Sequence, residues 1–227
     1  MERKICLLWD IDGTLIWSGG AGERSFERAI KTVFGKTVSM ADIDYSGRTD
    51  RMISELLIDH IGAPKSAETI AQVVDAYLQY LVEEMAAGTA IELVGVRKLL
   101  ERAASDPRFT QGLLTGNMVA GAQVKLQHFG LWEFFPFGGF ANVSPIRDEI
   151  AQAAKNSAAE RNAFNEDKDI WVIGDTPHDI SCGKHIKART LAVATGKSTF
   201  VELEKHSPSV TFQNLEDTDS VWDTFCS

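Results

Sequence analysis

Four carboxylates and a few small polar residues stand where chemistry could be done. Asp10-Ile11-Asp12-Gly13-Thr14 ends an unbroken apolar run from Ile5 to Trp9. Thr115-Gly116-Asn117 ends a second run from Phe109. Gly174-Asp175-Thr176-Pro177-His178-Asp179 follows a third, Asp169-Ile170-Trp171-Val172-Ile173. Side chains alternate along extended backbone, so Asp10 and Asp12 lean toward one point just past their strand. Gly13 permits a sharp exit there, and the Thr14 hydroxyl can hold a backbone group or a phosphate oxygen. Asp-x-Asp also occurs in turns and in calcium loops, but Ile16-Trp17-Ser18-Gly19-Gly20 supplies no further oxygen ligands and no closing Glu. Asp179 follows Asp175 by one helical turn. Gathered together, Asp10, Asp12, Asp175 and Asp179 would repel strongly without a cation, and hard oxygen ligands of this kind suit Mg²⁺. Thr115 reads either as a phosphate clamp at a helix start or as an ordinary helix cap. Asp175 and Asp179 could likewise only cap the helix after Pro177, with His178 a solvent-facing neighbour.

The elements that position these residues alternate. After the first strand, helical periodicity runs from Glu23 to Gly35, from Thr49 or Asp50 to Gly62, and from Ser66 to Ala87. Three amphipathic helices without an intervening strand form a separate unit, inserted after Trp17, whose Gly-rich start reads as a hinge or flap. Strand and helix then alternate. Helices are expected over Val96–Ala104, Val119–Phe129, Arg147–Asn162 and Ile180–His185. Strands are expected over Phe109–Thr115, Asp169–Ile173 and Thr190–Val193. Phe134–Phe140 is left undecided, and a polar tail follows with one strand at Val210–Phe212. This rhythm predicts an α/β fold, a parallel sheet with helices on both faces. Parallel strands put their carboxyl ends on one edge, where ligands bind.

Composition narrows the function. In 227 residues, 44% apolar and 24% charged, 23 basic side chains face 32 acidic ones, for a net charge of −9. No basic run interrupts that balance, which argues against nucleic acid, and an anionic substrate would need local cations or a metal. The first apolar run is too short for a leader or a membrane span. Cys6, Cys182 and Cys226 have no paired spacing and read as reduced thiols of a cytoplasmic protein.

The order of the motifs resembles the haloacid dehalogenase-like hydrolase superfamily, in particular its phosphoglycolate-phosphatase-like members with a helical cap. The match runs from Leu7 to Asp179. It implies a Rossmann-like catalytic core over residues 1–16 and 95–227, with the cap over 17–94. It also implies a Mg²⁺-dependent phosphatase acting on a small phosphorylated metabolite. In that scheme Asp10 attacks phosphorus to form an aspartyl-phosphate, and Asp12 protonates the leaving alcohol and then activates water. Asp10, Asp12 (through its carbonyl), Asp175 and Asp179 make up the metal site. Thr115 clamps the phosphoryl group, with Thr14, Gly116 and Asn117 around it. A carboxylic acid at Asp12 suits alkoxide leaving groups, hence phosphate esters. The family's usual Lys before the last helix is missing. Arg147, in Ser144-Pro145-Ile146-Arg147-Asp148-Glu149, is the best candidate to replace it, with Lys155 and Arg161 as alternatives.

Substrate choice is expected in the cap, because the core motifs contact only what every ester shares. Arg48, in Tyr45-Ser46-Gly47-Arg48-Thr49-Asp50-Arg51, could reach a substrate carboxylate or hydroxyl, or could be a solvated turn residue. A phosphomutase of the beta-phosphoglucomutase type shares the core residues, and release of inorganic phosphate separates the two activities. A non-catalytic phosphate-binding regulator is the third reading. The protein is expected to be a monomer or small homo-oligomer with no membrane partner. Asp10→Asn is predicted to abolish turnover with the fold intact. Activity kept within about tenfold, ~1.4 kcal/mol of transition-state stabilisation, would remove Asp10 from the nucleophile's role.

Overall fold

The computed structural model describes residues 3–45 and 47–227. Strand β1 (Ile5–Trp9) is buried along its whole length and lies inside a six-stranded sheet. Its neighbours are β4 (Phe109–Leu114) and β6 (Ile170–Gly174). Outside them lie β5 (Gly138–Gly139) on one side, and β7 (Arg189–Val193) then β8 (Val210–Phe212) on the other. Every pairing in this sheet is parallel. An apolar run suits such a strand because both of its faces are covered. Ile5, Leu7 and Trp9 enter one apolar core together with Leu99, Leu100 and Phe225. Cys6 and Leu8 enter the other with Ile150, Ala151 and Ala154. The covering helices are α4 (Val96–Ser105), α5 (Val119–His128), α6 (Arg147–Glu160) and α7 (Pro177–His185).

Between β1 and α4 the chain leaves the sheet. Helices α1 (Ala21–Phe34), α2 (Asp50–His60) and α3 (Ala67–Ala87) pack on one another. Phe26 of α1 stacks on Tyr77 of α3 with centroids 3.9 Å apart, and Arg24 and Arg28 pair with Glu84. Thr49 caps α2 and Ser66 closes a capping box on α3, while α1 ends on Gly35 in the left-handed region. Where the chain leaves and re-enters the core, β2 (Ile16–Trp17) pairs antiparallel with β3 (Ile91–Glu92). Periodicity could not show that ribbon, because two residues carry no pattern.

The structure refines the expected elements elsewhere. Helix α7 starts at Pro177, three residues before Ile180, because Thr176 and Asp179 form a capping box around its first turn. The undecided stretch resolves into a short turn at Trp132–Phe134 and edge strand β5. The polar tail is more ordered than its composition suggests, adding α8 (Phe200–Glu204) and α9 (Thr218–Cys226). Val221, Trp222 and Phe225 of α9 share one buried face. Phe225 meets Trp9 edge-on at 6.1 Å and Trp171 at 5.7 Å. Among the described residues no helix is long and apolar enough to cross a membrane.

Because Phe225 seals the sheet face beneath β1 and β6, Phe225→Ala should cost about 3–5 kcal/mol and lower Tm by about 10 °C. Calorimetry checks this, and a shift under about 2 °C would show that α9 is not part of the cooperative core.

Candidate active site

The pairing of β1 with β6 places Trp9 beside Ile173, so the residues that follow them meet. Asp10, Asp175 and Asp179 bring carboxylate oxygens within 4.8 Å of one another, and all three residues are buried. Asp175 sits in a cradle of glycines. A Cβ on Gly13, whose φ is +83°, would lie 2.6 Å from Asp175 Oδ2, and one on Gly196 would lie 1.7 Å away. The Thr14 hydroxyl donates to Asp175 Oδ1 at 3.3 Å, so its visible partner is a carboxylate, and Thr14 lies outside the cavity's lining. Asp179 works on two sides. Its Oδ2 accepts from the Thr176 amide and hydroxyl at 3.0 and 2.6 Å, while its Oδ1 accepts from Arg147.

Burial, with Asp179 and Asp12 nearby, pushes the Asp10 carboxyl up to about 7, although Arg147 pulls the other way. Burial first, then Asp179 and Asp10, hold Asp175 well above the usual carboxylate range. One guanidinium against three carboxylates leaves the cluster short of positive charge. A hard-oxygen donor set under that strain fits a divalent cation. The Asp12 side chain stays outside the cluster, leaving only its main-chain carbonyl for such an ion.

Arg147 opens α6 and lies beside Asp10 and Asp179, its side chain largely buried at 12% exposed. Its Nε is buried without a hydrogen-bond partner, and a Cβ on Gly116 would lie 3.0 Å from its Nη1. The alternatives lie elsewhere. Lys155 bonds the Ile186 carbonyl and pairs with Asp167, and Arg161 lies over the Phe137 ring.

The loop after β4 completes the wall. Thr115 Oγ1 accepts from Asn117 Nδ2 at 2.9 Å, which leaves its own proton to give. Asn117 also donates to Asp12 Oδ2 at 2.9 Å. The same oxygen accepts from Lys125 Nζ at 2.6 Å, and Lys125 donates again to Asn117 Oδ1 at 2.7 Å. Burial alone would lower the Lys125 ammonium, but Asp12 and Asp50 outweigh it and the net shift is upward. Motif reading missed Lys125. The available signal was a Lys at a position of α5 flanked by the buried Ala122 and Leu126.

The helical unit closes the cavity, which measures about 160 Å³ and has Trp17, Phe26, Met40, Ile53 and Tyr77 on its apolar side. Arg48 lines it too, but its guanidinium turns to the Asp44 carbonyl at 2.7 Å. Asp50 reaches the core. Its carboxylate accepts from the Met118 amide at 2.8 Å, and its own amide donates to the Gly116 carbonyl at 3.0 Å. Burial raises the Asp50 carboxyl to about 6, against the pull of Lys125 and the Met118 amide.

Comparison with known proteins bears on the fold and the family. A search of curated proteins found no match. Among solved structures, CbbY from Rhodobacter sphaeroides in complex with phosphate superposes with a TM-score of 0.78 at 16% identity, over 94% of this chain and 96% of that one. A hydrolase from Pseudomonas syringae gives 0.77 at 19%, over 97% and 99%. A protein of Haemophilus somnus 129pt, described as a predicted phosphoglycolate phosphatase, gives 0.76 at 15%, over 98% and 99%. At these identities the likeness is one of fold. The family model for haloacid dehalogenase-like hydrolases matches residues 7–184. With that match spanning most of its length, the chain belongs to the haloacid dehalogenase-like hydrolase family.

Proposed function

We propose that the chain is a Mg²⁺-dependent phosphatase that hydrolyses a small phosphate monoester through an aspartyl-phosphate on Asp10. One observation carries this reading. A buried carboxylate cluster, fit for a divalent cation, adjoins a largely buried guanidinium whose Nε has no partner. Metal and anion would therefore meet at Asp10. The phosphate bound to the Rhodobacter neighbour accords with it.

Asp10 attacks phosphorus while the ester P–O bond breaks, and Asp12 gives its proton to the departing alkoxide. Asp12 then takes a proton from water, whose oxygen attacks phosphorus and releases Asp10. Arg147 holds phosphoryl oxygens with donors that point away from Asp179. Thr115 gives its hydroxyl proton to another, with the Gly116 and Asn117 amides beside it at the approach to α5. Mg²⁺ held by Asp10, the Asp12 carbonyl and Asp175, with Asp179 at their side, would supply positive charge where nucleophile and phosphoryl oxygens repel.

Residues 17–94 form the cap in this scheme, and residues 1–16 and 95–227 the catalytic core. The limited cavity admits a small leaving group, and its apolar wall with Arg48 and Glu23 at the rim selects it. Inorganic phosphate released from a panel of esters tests the activity, and an isomerised sugar phosphate returned without phosphate release would replace it with a mutase.

EDTA should silence the enzyme and Mg²⁺ restore it, with Ca²⁺ inhibiting because its coordination is looser. Full turnover in thoroughly chelated buffer would exclude the scheme. Arg147→Ala should lower kcat by about 10²- to 10³-fold. It should also lower Tm, since Asp179 loses its buried partner, and Mg²⁺ should recover part of that loss. An Arg147→Ala enzyme with wild-type kcat would move the anion-holding role away from this residue.

A further inference from the structure

Lys125 is the buried cation that the reaction scheme leaves unused. Its side chain is 5% exposed, and an ammonium is costly to bury unless its hydrogen bonds are well placed. Its bonds go to Asp12 Oδ2 at 2.6 Å and Asn117 Oδ1 at 2.7 Å. Asn117 closes the triangle by donating to the same Asp12 oxygen at 2.9 Å. Among the described residues no hydrogen bond reaches Asp12 Oδ1. That side chain is 40% exposed and lines the cavity. One oxygen is pinned and the other presented.

We infer that Lys125 is a positioning residue that fixes Asp12 through Oδ2, making Oδ1 the oxygen that exchanges the proton. The inference rests on the phosphatase reading above. In the first half-reaction Oδ1 gives its proton to the ester oxygen as the Asp10–phosphorus bond forms and the ester P–O bond breaks. In the second, Oδ1 takes a proton from water as the water oxygen bonds phosphorus and the Asp10–phosphorus bond breaks. A carboxyl held by one oxygen keeps its reach and direction through both halves. The plainer role for Lys125 is structural, balancing Asp12 and Asp50 between core and helical unit. The two roles differ in which step suffers when Lys125 is lost.

Lys125→Met tests this with a primary alkyl phosphate and p-nitrophenyl phosphate, both in Mg²⁺ buffer. An alkoxide needs the proton to leave, whereas nitrophenolate leaves without it. Misdirecting a reacting group costs about 10²-fold, so kcat on the alkyl ester should fall by about that factor with KM little changed. On the aryl ester the first turnover should keep its wild-type rate and steady state should fall, giving a burst of nitrophenolate. In an Asp12→Asn background Lys125→Met should cost nothing further. Lys125→Gln, which retains hydrogen bonding without the charge, should show a milder form of the same pattern and serves if the Met variant does not fold. Equal losses in burst and steady state, or a further loss on top of Asp12→Asn, would overturn the inference. A wild-type chain inactive on both esters would overturn the phosphatase reading and this inference with it.

Discussion

Repulsion between buried carboxylates is the constraint on which the rest of this structure depends. Within 4.8 Å and at an effective dielectric of about 20, each pair would cost about 3.5 kcal/mol or more if both carboxyls were ionised. Burial and this repulsion together push Asp10 and Asp175 upward. Asp10, Asp175 and Asp179 form three such pairs, and Arg147 neutralises one charge. No isolated loop would hold them so close. The sheet does, because the parallel register of β1 and β6 ends both strands at one level. The first turn of α7 adds Asp179 through the capping box that Thr176 closes. Gly13 and Gly196 leave room for Asp175 to stand upright between them. The surrounding apolar cores thus hold in place a cluster whose negative charge is compatible with a divalent cation.

How much of this was legible in the sequence follows from the range of each interaction. Residues directly after buried strands were legible, because a polar residue ending an apolar run marks the sheet edge. Arg147 was legible as the first residue of a helix. Lys125 was not, because a lysine in a helix reads as solvated until the fold shows what faces it. The sequence left the start of α2 open between Thr49 and Asp50; Thr49 performs the capping and frees the Asp50 carboxylate to reach Met118. The β2–β3 ribbon and α9 were hidden for another reason. Their apolar residues are too few to set a period, and their burial comes from partners distant in sequence.

The contacts between the helical unit and the core combine apolar packing with hydrogen bonds over the cavity. Inside the unit the bond is apolar, with Phe26 stacked on Tyr77 and α1 along α3. Across the boundary α3 packs on α5, and Leu81 shares an apolar core with Ala122 and Leu126, while over the cavity polar contacts are added. Asp50 meets the Met118 and Gly116 backbone, and Lys197 donates to the Tyr45 hydroxyl at 2.6 Å, which donates in turn to Glu23. Net worth in water is about 1 kcal/mol for each such bond, so the polar part of the boundary contributes little beside the apolar packing of α3 on α5. The raised Asp50 carboxyl weakens that polar part further, since burying that charge costs free energy which exposure to water would return.

The boundary bears on the proposed chemistry because it shares a loop with the proposed phosphoryl site. Gly116 and Met118, which hold Asp50, alternate with Thr115 and Asn117, which face Asp12 and the cavity. Gly116 has no room for a side chain, since the Arg48 carbonyl would lie 2.9 Å from its Cβ. Any shift of the helical unit therefore acts on the segment that carries Thr115 and anchors Asn117 against Asp12. On the proposed phosphatase reading, a leaving group that fills the apolar wall would stabilise the seated unit, and a seated unit would keep that segment in register. On that reading, selectivity in the helical unit and alignment in the core would be two consequences of one docking contact, with binding energy from the remote wall spent on orientation at phosphorus.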